Sequence, residues 1–482
     1  MASGTASGSA HVVVLAFPQA GHTNPMLQFS KDLASQGVII TLVSFAFDHH
    51  RMLKADKTLQ RLGIRIRFES IPDRLPPGID IVSDVLYVFS NLQHIDGSDL
   101  EELIHRLNVT GPPVTCIVYD AFMPWVAQVS TKLKIPRAVF YTQSATVAAI
   151  YHHFKYVEKW NNCEQDSNDV VVIPAIGEMR MPDLPSIFFP PLLTAGCLDI
   201  NLKLIESFNG ASWVILNSFD ELESKAINYL REANVPVCTV GSLIPSAFLD
   251  RINSEDTQFG GSPWEEETEE CMEWLNSKPP HSVVYVSFGS IAAISTKQLR
   301  EIGRGLQSSE QNFLWVIRSA AGQGTVWEGF AEEIGDRGLI VKWSPQLKVL
   351  NHPSVGAFMS HCGWNSTVEG LSAGVPMLGC DLCFDQPTNC KVMVEVWKMG
   401  VKLKRTQQDD GDVTFEWDEI ERCVRRVICS EEGAELRKNA VHWKESAKTA
   451  TMEGGSSHSN VSRFVKEVTK FRQLLVSQLN EI

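Results

Sequence analysis

The chain of 482 residues contains no apolar run long enough for a membrane-spanning helix. It has no basic excess either: 43 Lys and Arg stand against 57 Asp and Glu, a formal net charge of −14. That balance weighs against non-specific binding to nucleic acid or to an anionic membrane, so an anionic ligand would need local devices. The opening stretch MASGTASGSA lacks the basic start and apolar core of a secretory leader. Eleven cysteines, an odd number scattered along the chain, do not form a disulfide framework, and reduced thiols in the cytoplasm are expected. One C-x-x-C exists, at Cys380 and Cys383 with Cys390 nearby. A second is missing, so a four-ligand structural zinc site is not expected. The composition does not suit disorder: 44% of residues are hydrophobic and 21% charged, enough to bury large cores.

What is present is an alternation of short β-rich runs and amphipathic stretches. In the first half the runs are 11–17, 38–44, 64–70, 114–120, 136–141 and 213–218; in the second they are 283–288, 312–318, 339–343, 355–360 and 376–380. Helical patterns lie between them, as at 26–36, 124–133, 296–307 and 366–373. Strand–helix alternation predicts an α/β protein with parallel sheets covered on both faces. The polar, acidic stretch 251–270 breaks the rhythm and reads as a linker. It divides a first domain, 1–250, from a second, 271–459; residues 460–482 have the spacing of an amphipathic helix, expected to pack back on the first domain. Open parallel sheets bind ligands beyond the carboxyl ends of their strands, so the chemistry should lie just after the apolar runs.

One such place is 343–386, which reads WSPQLKVLNHPSVGAFMSHCGWNSTVEGLSAGVPMLGCDLCFDQ. Its centre is a strand, then His361-Cys362-Gly363-Trp364-Asn365-Ser366, then a helix running through Glu369. A glycine lets backbone approach a ligand, and a helix start offers free N–H groups and partial positive charge, which together suit a phosphate. A strand–Gly–helix junction by itself also describes an ordinary βα turn. The whole stretch, however, closely resembles the donor signature of plant UDP-dependent glycosyltransferases of small molecules, and the resemblance runs from Pro18-Gln19-Ala20-Gly21-His22 to the end of the chain.

The resemblance implies the GT-B fold, two Rossmann-like domains facing across a cleft, with the donor in the second. It places Trp343 on the uracil, Ser344 and Gln346 beside the nucleoside, and Glu369 on the ribose hydroxyls. It assigns His361, Gly363, Asn365 and Ser366 to the diphosphate, with Ser290 meeting the phosphates from the side. Asp385 and Gln386 would hold the sugar hydroxyls, Trp364 would touch the sugar through its backbone, and Thr142 would contact the sugar from the first domain. The family's usual proline and larger apolar groups before the final Asp-Gln pair are replaced here by Gly379-Cys380-Asp381-Leu382-Cys383-Phe384.

His22 follows the first apolar run and Asp120 ends the fourth, so a parallel sheet can make them neighbours. A His oriented by a buried Asp is a general base, and imidazole titrates within reach of neutral pH. Alone, His22 could be structural and Asp120 a helix cap; the resemblance gives them the roles of catalytic base and activating partner. The implied activity is inverting transfer of glucose from UDP-glucose to a hydroxyl or carboxyl of a small lipophilic acceptor, such as a flavonoid, phenolic or terpenoid. Phe122, Trp125, Phe140, His152, Phe188 and Phe189 are the candidates for the acceptor pocket. No cofactor, metal, nucleic acid or membrane partner is expected, and a monomer is. Asp410-Gly411-Asp412 has a metal-binding form but reads as a solvated loop. The alternatives are a UDP-sugar epimerase or hydrolase on the same fold, and a non-catalytic UDP-sugar-binding protein.

Overall fold

The computed structural model describes residues 9–76, 79, 85–158, 169–174, 176–190, 196–249, 254–259, 266–289, 294–317, 326–407 and 413–480. Its strands, in chain order, begin with β1 (His11–Leu15), β2 (Ile39–Phe45), β3 (Ile66–Ile71), β4 (Cys116–Asp120), β5 (Arg137–Tyr141), β6 (Val170–Ile173), β7 (Gly177–Arg180), β8 (Trp213–Leu216) and β9 (Val237–Thr239). The second half adds β10 (Val283–Ser287), β11 (Asn312–Val316), β12 (Gly338–Val341), β13 (Val355–Ser360), β14 (Met377–Gly379), β15 (Gly400–Lys402), β16 (Thr406–Gln407) and β17 (Val413–Thr414).

Two parallel sheets result, with orders β3-β2-β1-β4-β5-β8-β9 and β12-β11-β10-β13-β14-β15. Both reverse direction of travel after the first strand of the unit, the doubly wound arrangement whose crevice opens beside that strand. β6–β7 and β16–β17 are separate antiparallel ribbons. The architecture is thus the expected α/β, two-sheet GT-B class.

The central strands β1, β4, β10 and β13 form because their apolar runs are continuous. Cys116–Asp120 is buried throughout, as a strand covered on both faces must be. Alternation then sends neighbours to opposite cores: Val139 and Tyr141 enter one layer, Ala138 and Phe140 the other. In the helix Ser456–Asn480, Phe464 is fully buried against Phe29 and Trp213, which places this helix on the first sheet's outer layer. Burying such a side chain contributes roughly 2–3 kcal/mol. Asn460 adds amide hydrogen bonds to the carbonyl and hydroxyl of Thr239 at 3.0 and 2.8 Å.

Two stretches depart from the expected pattern. A helix, Glu266–Asn276, starts inside the expected linker, and Asp256 within that linker is buried. The first helix begins at Ala20, six residues ahead of the helical pattern expected at 26–36, and includes Pro25. No helix among the described residues is long and apolar enough to cross a membrane.

Candidate functional site

The carboxyl ends of both sheets open on one cleft of about 850 Å³. The first domain contributes His22, on the first turn of helix Ala20–Ser35 directly after β1, and Asp120, the last residue of β4. Parallel pairing of β1 with β4 sets both at one sheet end, and His22 Nδ1 lies 2.7 Å from Asp120 Oδ2. Asp120 is fully buried, and its other oxygen accepts the Phe122 amide at 3.0 Å. With Nδ1–H turned to the carboxylate, Nε2 is left as the ring's acceptor. Thr142, just past β5, puts its hydroxyl 3.2 Å from the same Nδ1.

The second domain supplies the opposite wall. After β13 the chain turns sharply at Cys362, whose φ is 61°, and enters the helix Trp364–Ala373. His361 packs against Gly289, where an added Cβ would come within 2.7 Å of the imidazole, so only glycine leaves that ring its place. An added Cβ at Gly363 would come closer still to the same ring. Glu369, on the helix's second turn, is 8% exposed and accepts the Gln346 amide at 2.6 Å. Burial pushes its carboxyl up to about 7, against the pull of that hydrogen bond. Gln346 in turn accepts from Tyr285 at 3.1 Å and donates to Ser366 at 3.2 Å, while Ser344 meets the Tyr285 hydroxyl at 2.9 Å. Trp343 lines the cleft beside them, half-buried.

At the sugar end of the expected site, Gln386 Oε1 accepts the amides of Leu382 and Cys383, each at 2.9 Å. Asp385 accepts the Asn389 amide at 2.7 Å; burial raises its carboxyl to about 6 in spite of that bond. The unusual Gly379–Phe384 stretch is ordered by charge: Asp381 pairs with Arg405 and, at 3.4 Å, with Lys402. The backbone of Phe384 exchanges hydrogen bonds with Ser186 of the first domain at 2.8 and 2.6 Å.

Pro25 explains a contact across the cleft. It has no N–H to give Gly21, four residues back, so the Gly21 carbonyl is free to accept from elsewhere. It takes the Asn365 side-chain amide, tying the His22 turn to the helix start. The Trp364 indole is buried against the first domain, donating to the Asn217 carbonyl at 3.0 Å.

The expected acceptor pocket needs correction. Of its six residues only Phe122 lines the cleft. Phe140 lies within β5, fully buried, and packs on Phe29 in one layer of the first domain while its neighbours Val139 and Tyr141 enter the other. Trp125 is core, its indole donating to the Leu92 carbonyl at 2.9 Å. Phe188 packs on Tyr151 and Phe154, and Phe189 lies against the same core. His152 sits in a separate depression with Tyr156, Gly210 and Pro236, where strands begin rather than end. The apolar wall near His22 is instead Phe17, Phe89 and Phe122, with Ile200, Cys197 and Phe384 across from it. Phe17 and Phe89 were missed because nothing in an apolar run tells a core ring from one at the cleft. Ser290, Asp410 and Asp412 lie outside the described residues. Among the described residues, no group of three or more His, Cys, Asp or Glu side chains is placed to hold a metal ion.

A cleft between two doubly wound sheets, with a His–Asp pair on one wall and a helix start with buried ribose-type acceptors on the other, is the arrangement of a nucleotide-sugar transferase. Residues 253–415 match the family model "UDP-glucoronosyl and UDP-glucosyl transferase". UDP-glycosyltransferase 74E2 of Arabidopsis thaliana is 38% identical over 94% of this chain and 98% of its own. The structure of Os79 from O. sativa in complex with UDP has a TM-score of 0.81 at 30% identity, over 95% of this chain and 100% of that one. Phytolacca americana UGT2, solved with UDP-2fluoro-glucose and pterostilbene, gives 0.78 at 26% identity, over 96% and 100%. The chain belongs to the plant UDP-glycosyltransferase family and is a glycosyltransferase.

Proposed function

We propose that the protein transfers glucose from UDP-glucose, with inversion, to a hydroxyl or carboxyl of a small lipophilic acceptor. The observation that carries this reading is the 2.7 Å His22–Asp120 pair, opening on the same cleft as Trp343, Gln346 and Glu369. His22 Nε2 takes the proton of an acceptor O–H as the oxygen attacks the anomeric carbon. The bond from that carbon to the phosphate oxygen breaks and UDP leaves. Asp120 orients the ring and stabilises the imidazolium that forms. The departing charge meets the start of helix Trp364–Ala373 with His361, Asn365 and Ser366. Trp343 would stack on the uracil, Glu369 would accept from the ribose hydroxyls, and Asp385, Gln386 and Thr142 would hold the sugar. A flat aromatic acceptor fits the Phe17, Phe89 and Phe122 wall, and Phytolacca americana UGT2 was solved with one, pterostilbene.

The test is incubation of the purified protein with UDP-glucose and a panel of phenolics, flavonoids, terpenoids and aryl acids, with products identified by mass and anomeric configuration by NMR. A β-glucoside or β-glucose ester is expected. Release of UDP with no acceptor product would favour the hydrolase or epimerase alternative, and an α-product would exclude direct displacement.

A further inference from the structure

Helix Ala20–Ser35 carries a row at four-residue spacing: Thr23, Leu27 and Lys31. Thr23 and Leu27 line the cleft. Lys31, one turn on, is buried, and its ammonium lies 2.5 Å from Asp256 Oδ1 and 3.2 Å from the Gln258 carbonyl. Asp256 is 1% exposed; its other carboxylate oxygen accepts the Ser246 amide at 3.0 Å. A fully buried ion pair carries a large desolvation cost, which a solvated linker would have no need to meet. The pair fixes the path of the residues that follow it. Thr257, Gln258 and Phe259 line the cleft, and Phe259 packs on a small apolar cluster of Ile244, Leu249 and Leu347. Leu347 directly follows Gln346 and lies four residues from Trp343, so this segment crosses the nucleoside end of the cleft.

We propose that residues 257–259 form a wall of the nucleoside subsite, with Gln258 as a further donor-contacting residue. The Lys31–Asp256 pair is the positioning element that holds this wall. The inference rests on the donor reading given above and adds a contact from the interdomain segment to it. It also links the helix that bears His22 to the nucleoside end of the donor through one buried pair.

Calorimetry with UDP tests it, beside steady-state kinetics. Gln258 is half-exposed, so Gln258→Ala should keep the fold and raise the Kd for UDP about fivefold or more, the loss of one hydrogen bond. Asp256→Ala should raise Kd for UDP and KM for UDP-glucose about tenfold, with kcat and acceptor KM nearly unchanged. In the double variant Lys31→Met with Asp256→Leu, an apolar pair replaces the charges and keeps the melting temperature. It still lacks the anchor for the Gln258 carbonyl, so its UDP affinity should stay weak. Wild-type UDP affinity in Gln258→Ala and in the double variant would overturn the inference, and so would a lowered melting temperature with unchanged affinity. Failure of the unaltered protein to bind UDP would instead sink the donor reading itself.

Discussion

Glu369 gives the sharpest quantitative test of the donor end. Its carboxyl is buried and pushed up to about 7, held on one side by the Gln346 amide at 2.6 Å. A carboxylate can accept two hydroxyl donors; a protonated acid cannot accept both on equal terms. Ribose binding should therefore draw on the ionised form and release a proton. The sign follows: affinity is present above about 7 and is lost as pH falls through it. With a free-state pKa of about 7, roughly half the sites are ionised at pH 7 and about a tenth at pH 6, a further weakening of about fivefold. Uridine is the ligand of choice, because a terminal phosphate itself titrates near ~6 and would mask the effect. Glu369→Ala should cost about 1–3 kcal/mol, since it strands buried hydroxyls and the Gln346 amide without an acceptor. That is a loss of roughly five- to 150-fold in affinity. Titration calorimetry at pH 6, 7 and 8, in two buffers of different ionisation enthalpy, reads both affinity and proton release. The substituted protein should bind weakly with no pH slope. Uridine affinity that is flat with pH in the unaltered protein, or undiminished in Glu369→Ala, would refute the reasoning.

Three further outcomes are expected. His22→Ala should slow turnover of phenol and alcohol acceptors ~10²-fold or more while a carboxylic acid acceptor, already ionised, loses much less; Asp120→Asn should follow that order with a smaller loss, and near-normal turnover of a simple phenol by His22→Ala would remove His22 as the base. UDP-glucose should be preferred to UDP-galactose in kcat/KM, and Gln386→His should narrow the gap, because an imidazole cannot accept both the Leu382 and Cys383 amides that now fix the Gln386 carboxamide; a native preference for UDP-galactose would contradict this. Activity should survive exhaustive chelation if the helix start and His361 hold the diphosphate as proposed; a loss restored by Mg²⁺ or Mn²⁺ would argue for a metal at Asp410 and Asp412.

The parts of the fold that were legible in the sequence are those where one physical demand dominates. A parallel strand buried on both faces must be a continuous apolar run, so β1, β4, β10 and β13 can be read directly. His22 and Asp120 follow from topology, because parallel neighbours end together. Elements under weaker demands were missed. β9 has three residues, β15 starts at a glycine, and β6–β7 exposes Val170 and Val172, so none carries a distinct pattern. The apolar wall of the cleft was illegible for a different reason. Phe140 and Tyr141 are consecutive aromatic residues on one strand and both are core, one in each layer, whereas the cleft takes Phe17 and Phe89 from one layer and Leu27 and Met52 from the other, a choice that no single run specifies. Asp256 was misread because a polar, acidic stretch signals solvent unless a cation is buried opposite it, and Lys31 lies 225 residues away.

The reactive groups come from two domains, so what holds the domains together also sets the geometry of the reaction. The contacts across the cleft lie next to the residues assigned to chemistry. Asn365 binds the Gly21 carbonyl, beside His22. Ser144 donates to Asn389 at 3.0 Å, and Asn389 in turn donates to Asp385. Lys402 joins Asp183 of the first domain at 3.0 Å and Asp381, within the Gly379–Phe384 stretch, at 3.4 Å. A rigid shift of one domain would therefore change the placement of the base relative to the donor while leaving each wall intact. Positioning of reacting atoms can account for several kcal/mol of a barrier, and a displacement of about 1 Å can cost roughly 10²-fold. Substitutions at Asp183, Ser144 or Gly21, which are not assigned to the donor or to proton transfer, are then expected to lower kcat rather than donor affinity. The Lys31–Asp256 variants should do the reverse, because that pair acts on the wall of the nucleoside subsite and leaves the His22–Asp120 geometry in place.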